Sequence, residues 1–208
     1  MKKLYIFDLD GTLLTGNFKL VDDYLRETFN EQADDFIHNM GTILEKYEKN
    51  TPKYDEETLS SFLVDETGLR FSPKIIKEWN ARVGEATNIE EEQARDVLEY
   101  LKYNDKKVKV LTNWFGNSQE KRLQTEGFME YIDEVIGGEV ATKPHKKAYI
   151  NAVQGFYPEE CVFIGNDVDN DYIGPKACGM DSILYDKNSI HHKNLVKVKK
   201  LGEIIERY

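Results

Sequence analysis

Apolar residues follow two different spacings along the chain, and the change between them separates predicted strand from predicted helix. Residues 3–7 are predicted to form a strand, because after Lys3 they are a short continuous apolar run, which is typical of a parallel strand covered on both faces. After Gly16 the apolar residues recur three and four positions apart, as on one face of a helix. This helical spacing is found at Val21, Tyr24, Leu25, Thr28, Phe29, Ala33, Phe36, Ile37, Met40, Ile43, Leu44 and Tyr47. The pattern predicts one strand followed by a long helical run.

Two further helices are predicted before the pattern changes again. A break at residues 50–52 ends the first helical run, and Asp55 opens a second helix that stops near Gly68. Ser72 followed by Pro73 is typical of an N-cap with proline at the first helical position, so a third helix is expected to begin there. These signals predict a segment that is all helical and contains no strand.

From Thr87 onward, strand and helix patterns alternate. Thr87 and Glu90 form a capping box, which predicts a helix over Val97, Leu98 and Leu101. Strands are then predicted at residues 108–111, 134–136, 161–164 and 182–185, and helices at residues 118–126, 146–154, 172–178 and 201–208. This alternation predicts an α/β fold with a Rossmann-like, doubly wound parallel sheet and right-handed crossovers.

The two patterns also predict how the chain is divided. Residues 1–14 and 86–208 carry the strand pattern and are expected to form one α/β core. Residues 15–85 are expected to form a small all-helical insertion in that core. A chain of 208 residues is long enough for one such core with a smaller insertion.

Composition narrows the possible partners. Hydrophobic residues make up 40% of the chain and charged residues 32%, as in a folded globular protein, and the formal net charge is −10. An acidic surface repels a phosphate backbone, so no nucleic-acid partner is expected. No apolar run has the length of a signal peptide core or a membrane span, so we expect no membrane association and a cytoplasmic location. An anionic small substrate would need a local positive group or a metal ion.

Asp8 and Asp10 follow the first strand directly. Side chains two positions apart on an extended chain point to the same side, so these carboxylates repel each other unless a cation lies between them or one keeps a proton. Taken alone, the pair could be a solvated turn. The chain has no P-loop or G-x-G-x-x-G fingerprint, and the calcium-loop pattern that begins at Asp167 lacks the required glycine and glutamate.

Polar residues also follow the other predicted strands. In an open parallel sheet, ligands bind beyond the carboxyl ends of the strands, where the order of the strands reverses. The polar groups at these strand ends or before the next helix are Asp8 to Thr12, Thr112 and Asn113, Thr142 to His145, and Gly165 to Asp171. We therefore expect all four groups to converge at one edge of the sheet.

Together these residues resemble the four motifs of the haloacid dehalogenase superfamily of phosphohydrolases. The matching residues are Asp8-x-Asp10-Gly11-Thr12, Thr112-Asn113, Lys143-Pro144 and Gly165-Asn166-Asp167-x-x-Asn170-Asp171. The helical insertion lies where that superfamily places a helical cap. The resemblance implies a Mg²⁺-dependent phosphatase that acts on a small phosphorylated metabolite.

The resemblance also implies catalytic roles for the first two carboxylates. Asp8 matches the nucleophile, which attacks phosphorus and forms an aspartyl-phosphate that water then hydrolyses. Asp10 matches the general acid/base, which protonates the leaving alkoxide and later deprotonates the attacking water.

The remaining matches imply groups that hold the phosphoryl oxygens. Thr112 is expected to hydrogen-bond one of them, and Lys143 to orient Asp8 and balance the charge of the transition state. The backbone amide of Leu9 and the side chain of Asn113 are expected to be further donors.

The fourth motif departs from the family pattern at the metal site. Asn166 stands where the family usually has an aspartate, so either its carbonyl oxygen binds the metal or Asp167 takes the role with Asp171 behind it. The expected Mg²⁺ ligands are Asp8, Asp10, Asn166, Asp167 and Asp171. An amide ligand carries no charge, which would lower the affinity for the metal.

Three alternatives bear on the function. Asp10 argues against the halide-releasing branch of the superfamily, in which no alkoxide needs a proton. A phosphosugar mutase uses the same core and passes the phosphoryl group to a second hydroxyl, and the sequence does not separate it from a hydrolase. A catalytically silent binding protein is a third possibility, and the sequence gives no indication of the oligomeric state.

Overall fold

The computed structural model describes residues 2–190 and 194–207. The strands are β1 Leu4–Phe7, β2 Leu14–Asn17, β3 Thr87–Glu90, β4 Lys107–Leu111, β5 Glu134–Ile136, β6 Cys161–Gly165, β7 Asp181–Tyr185 and β8 Lys197–Val198. The α-helices are α1 Lys19–Phe29, α2 Ala33–Asn50, α3 Glu56–Thr67, α4 Pro73–Val83, α5 Ala94–Tyr103, α6 Gly116–Thr125, α7 Lys146–Ala152 and α8 Gly174–Ala177. A π-helix at Val168–Ile173 precedes α8.

Six strands form one parallel sheet in the order β5-β4-β1-β6-β7-β8. The chain first adds β4 and β5 on one side of β1 and then crosses to the other side with β6, so the strand order reverses at β1. The carboxyl ends of β1, β4 and β6 therefore meet at the position where ligands bind in sheets of this kind. At this end Phe7 is paired with Val110 on one side and with Ile164 on the other.

Both faces of the sheet are covered, which explains the continuous apolar run of β1. Tyr5 and Phe7 pack with residues of α5 and α6 in one core cluster, while Leu4 and Ile6 pack with residues of α7 in another. Alternate side chains of a strand point to opposite faces, so a strand between two helical layers has to be apolar throughout. The predicted α/β, Rossmann-like, doubly wound fold is confirmed.

The helices before β3 have an apolar core of their own, rich in aromatic rings. Phe36, Phe71 and Trp79 pack together in it, and Trp79 lies 5.0 Å from Trp114, measured between ring centroids. Trp114 belongs to the segment after β4, so this core reaches the edge of the sheet where the strands end. The predicted second and third helices are present, capped by the Asp55 and Ser72 side chains.

Three predictions about this region are wrong. The long helical run is two helices, because α1 ends at Phe29 and the next residue, Asn30, has a φ of 55° that interrupts the helical backbone. The predicted capping box is strand β3, which pairs antiparallel with β2, and α5 begins only at Ala94. The β2–β3 ribbon also shows that the segment expected to hold no strand begins with one.

Smaller differences concern the end of the chain. The helix predicted at residues 172–178 is a π-helix followed by the short α8, and β8 was not predicted. A terminal helix is predicted at residues 201–208, but the structure has a 3₁₀ turn at Leu201–Ile204. Residue 208 of the predicted helix lies outside the described part of the chain. None of the helices in residues 2–190 and 194–207 combines the length and apolar character needed to cross a bilayer.

Candidate active site

The candidate active site lies where β1, β4 and β6 end. Asp8 is the first residue after β1, and its backbone N–H donates to the Ile164 carbonyl at 2.9 Å, so strand pairing continues up to this carboxylate. A turn follows in which Gly11 has a φ of 77°. A β-carbon at position 11 would overlap the Asn166 side chain, so glycine allows the loops after β1 and β6 to touch. The first and fourth motifs are therefore in contact.

Lys143 links the first, third and fourth motifs through a buried ion pair network. Its Nζ lies 2.7 Å from Asp8 Oδ1 and 2.8 Å from Asp171 Oδ1. A β-carbon at position 165 would overlap the Asp171 carboxylate, so Gly165 is what lets that side chain reach the lysine. All three charged side chains are buried, and two carboxylates without a cation would be strongly unfavourable there.

The burial of these groups changes their protonation. Burial raises the pKa of Asp8 to about 7, although the nearby Lys143 charge acts in the opposite direction. Burial likewise raises the pKa of Asp171. For Lys143, burial alone would lower the pKa, but the attraction of Asp171 and Asp8 outweighs it and the pKa is raised. The lysine is therefore charged at neutral pH, and Asp8 is close to its titration point.

Asp10 is held by a residue that lies outside the four motifs. Arg122, on α6, donates from Nη1 to Asp10 Oδ2 at 3.1 Å and from Nη2 to Asp10 Oδ1 at 2.7 Å. The Arg122 side chain is 0% exposed, whereas that of Asp10 is 43% exposed. A signal was present in the sequence: Gln119 and Arg122 share the buried side of α6 with Leu123, and polar residues on an apolar helix face need partners.

Two predicted donors to the phosphoryl group lie after β1 and β4. Thr112 Oγ1 accepts a hydrogen bond from Gln119 Nε2 at 3.2 Å, and its own hydroxyl hydrogen remains available to donate. Gln119 Nε2 also lies 3.3 Å from Asp10 Oδ2, so it connects the two motifs. Leu9 is fully buried in the core, which leaves only its backbone amide to serve the site.

Asn113 has a different environment from the one expected of a phosphate donor. Its Oδ1 accepts from the Lys143 backbone N–H at 2.7 Å, and its Nδ2 donates to the Lys143 carbonyl at 2.9 Å. The same Nδ2 also donates to Glu48 Oε2 at 2.9 Å. Asn113 therefore fixes the backbone of the lysine and ties it to α2. Glu48, which sequence reasoning missed, is a further carboxylate beside the second and third motifs.

One cavity of about 610 Å³ is lined by all five residues expected to bind the metal, namely Asp8, Asp10, Asn166, Asp167 and Asp171. Carboxylate and amide oxygens are hard donors of the kind that Mg²⁺ takes, and Mg²⁺ needs only one or two carboxylates because water and substrate complete its shell. The chemistry of the donor set therefore fits this ion.

The arrangement of the acidic side chains is nevertheless that of an ion pair network. Among residues 2–190 and 194–207, no three His, Cys, Asp or Glu side chains are grouped as metal ligands. Lys143 takes one oxygen each of Asp8 and Asp171, and Asp167 Oδ1 accepts from the Asn170 backbone N–H at 2.7 Å as the cap of the π-helix. Asp8 Oδ2 has only a 3.3 Å contact from the Thr12 hydroxyl, so it is the more available of the two Asp8 oxygens.

Comparison with known proteins identifies what this chain resembles. Residues 2–179 match the family model of the haloacid dehalogenase-like hydrolases. A curated relative, the candidate pyrophosphatase PpaX of Clostridium perfringens (strain 13 / Type A), is 24% identical over 194 residues, which cover 86% of this chain and 84% of PpaX.

Solved structures show the same fold at low sequence identity. The candidate hydrolase YfnB of Bacillus subtilis, bound to magnesium, is 20% identical with a TM-score of 0.74, and the match covers 99% of this chain and 98% of YfnB. The L-2-haloacid dehalogenase of Xanthobacter autotrophicus is 17% identical with a TM-score of 0.71, covering 99% of this chain and 98% of the dehalogenase.

Proposed function

This chain belongs to the haloacid dehalogenase-like hydrolases, and on that premise we propose that it is a magnesium-dependent phosphatase that hydrolyses a small-molecule phosphomonoester. The observation that carries the proposal is the buried Lys143 ammonium between Asp8 and Asp171, with Asp10 on the same cavity. This arrangement offers a nucleophile, a fixed positive charge and a second carboxylate. A dehalogenase has no alkoxide to protonate, so Asp10 favours the phosphatase.

The first step is attack by Asp8. Its oxygen forms a bond to phosphorus as the ester P–O bond breaks. Asp10 in its protonated form, with one Arg122 hydrogen bond released so that an oxygen can carry the proton, gives that proton to the departing alkoxide. Lys143 supplies positive charge that is already in place when the charge of the transition state spreads over the phosphoryl oxygens. The Thr112 hydroxyl and the Leu9 amide donate to these oxygens.

The second step regenerates the enzyme. Asp10, now a carboxylate, takes a proton from water, the water oxygen bonds to phosphorus, and the bond between phosphorus and Asp8 breaks. Inorganic phosphate leaves, and both carboxyl groups return to their first states. Arg122 is a positioning residue here, because its guanidinium contacts both Asp10 oxygens and sets where that carboxyl group lies.

Asp8, Asp10, Asn166, Asp167 and Asp171 are the residues that would hold Mg²⁺. When bound, the ion neutralises the charge between the nucleophile and the phosphoryl group, which lets two anions approach. Asp8 Oδ2 is the oxygen best placed for this task, since Oδ1 is engaged by Lys143. We assign residues 15–85 as the cap, because α1, α2 and α4 of that segment supply one wall of the cavity and limit the access of water.

Phosphate release tests the proposal. The protein is expected to release inorganic phosphate from aryl and alkyl phosphates with Mg²⁺ and to lose that turnover in EDTA. Reaction in ¹⁸O-labelled water separates hydrolysis from a mutase, because only hydrolysis places the label in the released phosphate. No release from any phosphomonoester in the presence of Mg²⁺ would favour a catalytically silent binding protein.

Asp10→Asn is expected to affect substrates according to their leaving groups. Benzyl phosphate releases a poor leaving group and needs a proton donor, so its kcat should fall by about 10²–10³-fold. 4-Nitrophenyl phosphate releases a stable phenolate, so its pre-steady-state burst, which reports the first step alone, should fall far less. Asp22→Asn is the matched control, because Asp22 lines the same cavity and has no assigned catalytic role. Equal losses in the first step for both substrates would contradict the role of Asp10 as the acid.

A further inference from the structure

The cavity has two chemically different walls. One wall is formed by the polar residues at the strand ends. The other is formed by Phe18, Val21, Ile37, Met40, Leu44, Trp79, Val83 and Trp114. These eight residues belong to the apolar core of the helical segment or pack against it. A substrate whose phosphoryl group reaches Asp8 therefore places the rest of its structure against an apolar wall.

The charges along the cavity are almost all negative. Lys143 is the only lysine or arginine among the described residues that line it, and its ammonium already contacts Asp8 and Asp171. Two lining residues contributed by the helices, Asp22 and Glu48, are also acidic. A second anionic group on the leaving-group side of the substrate would lose water against an apolar surface without gaining a side-chain cation, which is strongly unfavourable.

Trp79 and Trp114 make the apolar wall partly aromatic. Their ring centroids are 5.0 Å apart with an interplanar angle of 42°, and both residues line the cavity, where 9% of Trp114 and 2% of Trp79 is exposed. Aromatic rings pack edge-to-face as well as stacked, so the small exposed part of an indole still gives a substrate ring an aromatic contact. Tyr54 and Phe115 pack against Trp114 from within the core, so this ring is held in place.

From the two walls and their charges we propose that the preferred substrates are phosphomonoesters of an uncharged apolar alcohol, best when it carries an aromatic ring. This inference rests on the proposed phosphatase function. It separates this chain from an enzyme for substrates with a second anionic group beside the scissile bond, such as pyrophosphate or phosphoglycolate.

Competing substrates test the inference directly. With Mg²⁺ and wild-type protein, kcat/KM for benzyl phosphate is expected to exceed that for phosphoglycolate and for pyrophosphate by at least about tenfold. Benzyl and glycolyl phosphates are both esters of primary alcohols, so the comparison reports the leaving group's contacts. The kcat/KM for cyclohexylmethyl phosphate should lie between those for benzyl phosphate and phosphoglycolate, because this substrate keeps the apolar contact and lacks the aromatic ring.

A cation placed on the apolar wall should change this preference. Leu44→Lys is expected to lower kcat/KM for benzyl phosphate and raise that for phosphoglycolate, so that their ratio falls several-fold. Leu20→Lys is the matched control: Leu20 lies on α1, is 46% exposed and does not line the cavity, so the ratio should stay unchanged. Circular dichroism checks folding, and Met40→Lys replaces the variant if Leu44→Lys does not fold.

The outcomes distinguish the two proposals. Equal or better turnover of phosphoglycolate or pyrophosphate than of benzyl phosphate would overturn the substrate inference and leave the phosphatase intact. An unchanged ratio in the folded lysine variant would also overturn it, since the wall would then not contact the leaving group. No phosphate release from any substrate would overturn the proposed function itself.

Discussion

Lys143→Met is expected to abolish phosphate release and to lower the free energy of unfolding by about 3–5 kcal/mol. The substitution keeps a long apolar side chain and removes the only charge between two buried carboxylates. Asp8 and Asp171 would then repel each other in a site from which water is largely excluded. Denaturant unfolding in EDTA measures the loss of stability, and phosphate release with Mg²⁺ measures the activity.

Two further variants test whether the loss of the Lys143 charge causes the loss of stability. The double substitution Lys143→Met with Asp171→Asn removes one of the two carboxylates, so it should recover part of the stability and none of the activity. Lys109→Met is the matched control, because Lys109 is also buried but its carboxylate partner, Glu134, is 52% exposed. The ion pair between Lys109 and Glu134 should contribute less than about 1 kcal/mol to the free energy of unfolding. A single Lys143→Met variant as stable as the control would contradict the proposed role of the ammonium.

Asp8→Asn is expected to abolish turnover and yet to stabilise the metal-free protein at neutral pH. Asparagine cannot act as the nucleophile, so no aspartyl-phosphate forms. Burial raises the pKa of Asp8 to about 7, whereas an aspartate in the unfolded chain has its ordinary pKa of 3.8. Above that folded-state pKa, the native protein holds a buried carboxylate under a burial penalty that the neutral amide avoids.

The stabilisation by Asp8→Asn depends on pH because the pKa of Asp8 is higher in the folded protein than in the unfolded chain. Between pH of about 4 and 7 the unfolded chain has lost the Asp8 proton while the folded protein keeps it, so the free energy of unfolding falls as the pH rises. The Tm of Asp8→Asn minus that of the wild type, measured in EDTA, should therefore increase across this range and then level off. Asp65→Asn, at an exposed position on α3, should show no such trend. A flat difference for Asp8→Asn would contradict the raised pKa.

Local signals were sufficient for most elements of the fold. The apolar run of β1 predicted a strand covered on both faces, and α3 and α4 begin where their capping residues predicted. The strand pairing of Thr87–Glu90 was missed because a Thr-x-x-Glu pattern looks the same in a helix cap and in a ribbon. Only the distant partner β2 decides between them, and a partner 70 residues away leaves no local signal.

The sequence by itself determined the residue types of the site and their order along the chain. Because parallel strands bring their carboxyl ends to one edge, it also predicted that Asp8, Lys143 and Asp171 would meet. It did not reveal Arg122 beside Asp10, or that Asn113 holds the backbone of Lys143. Such contacts depend on which helix face is turned to the sheet and on which side chains are free to reach across it, and only tertiary packing decides both.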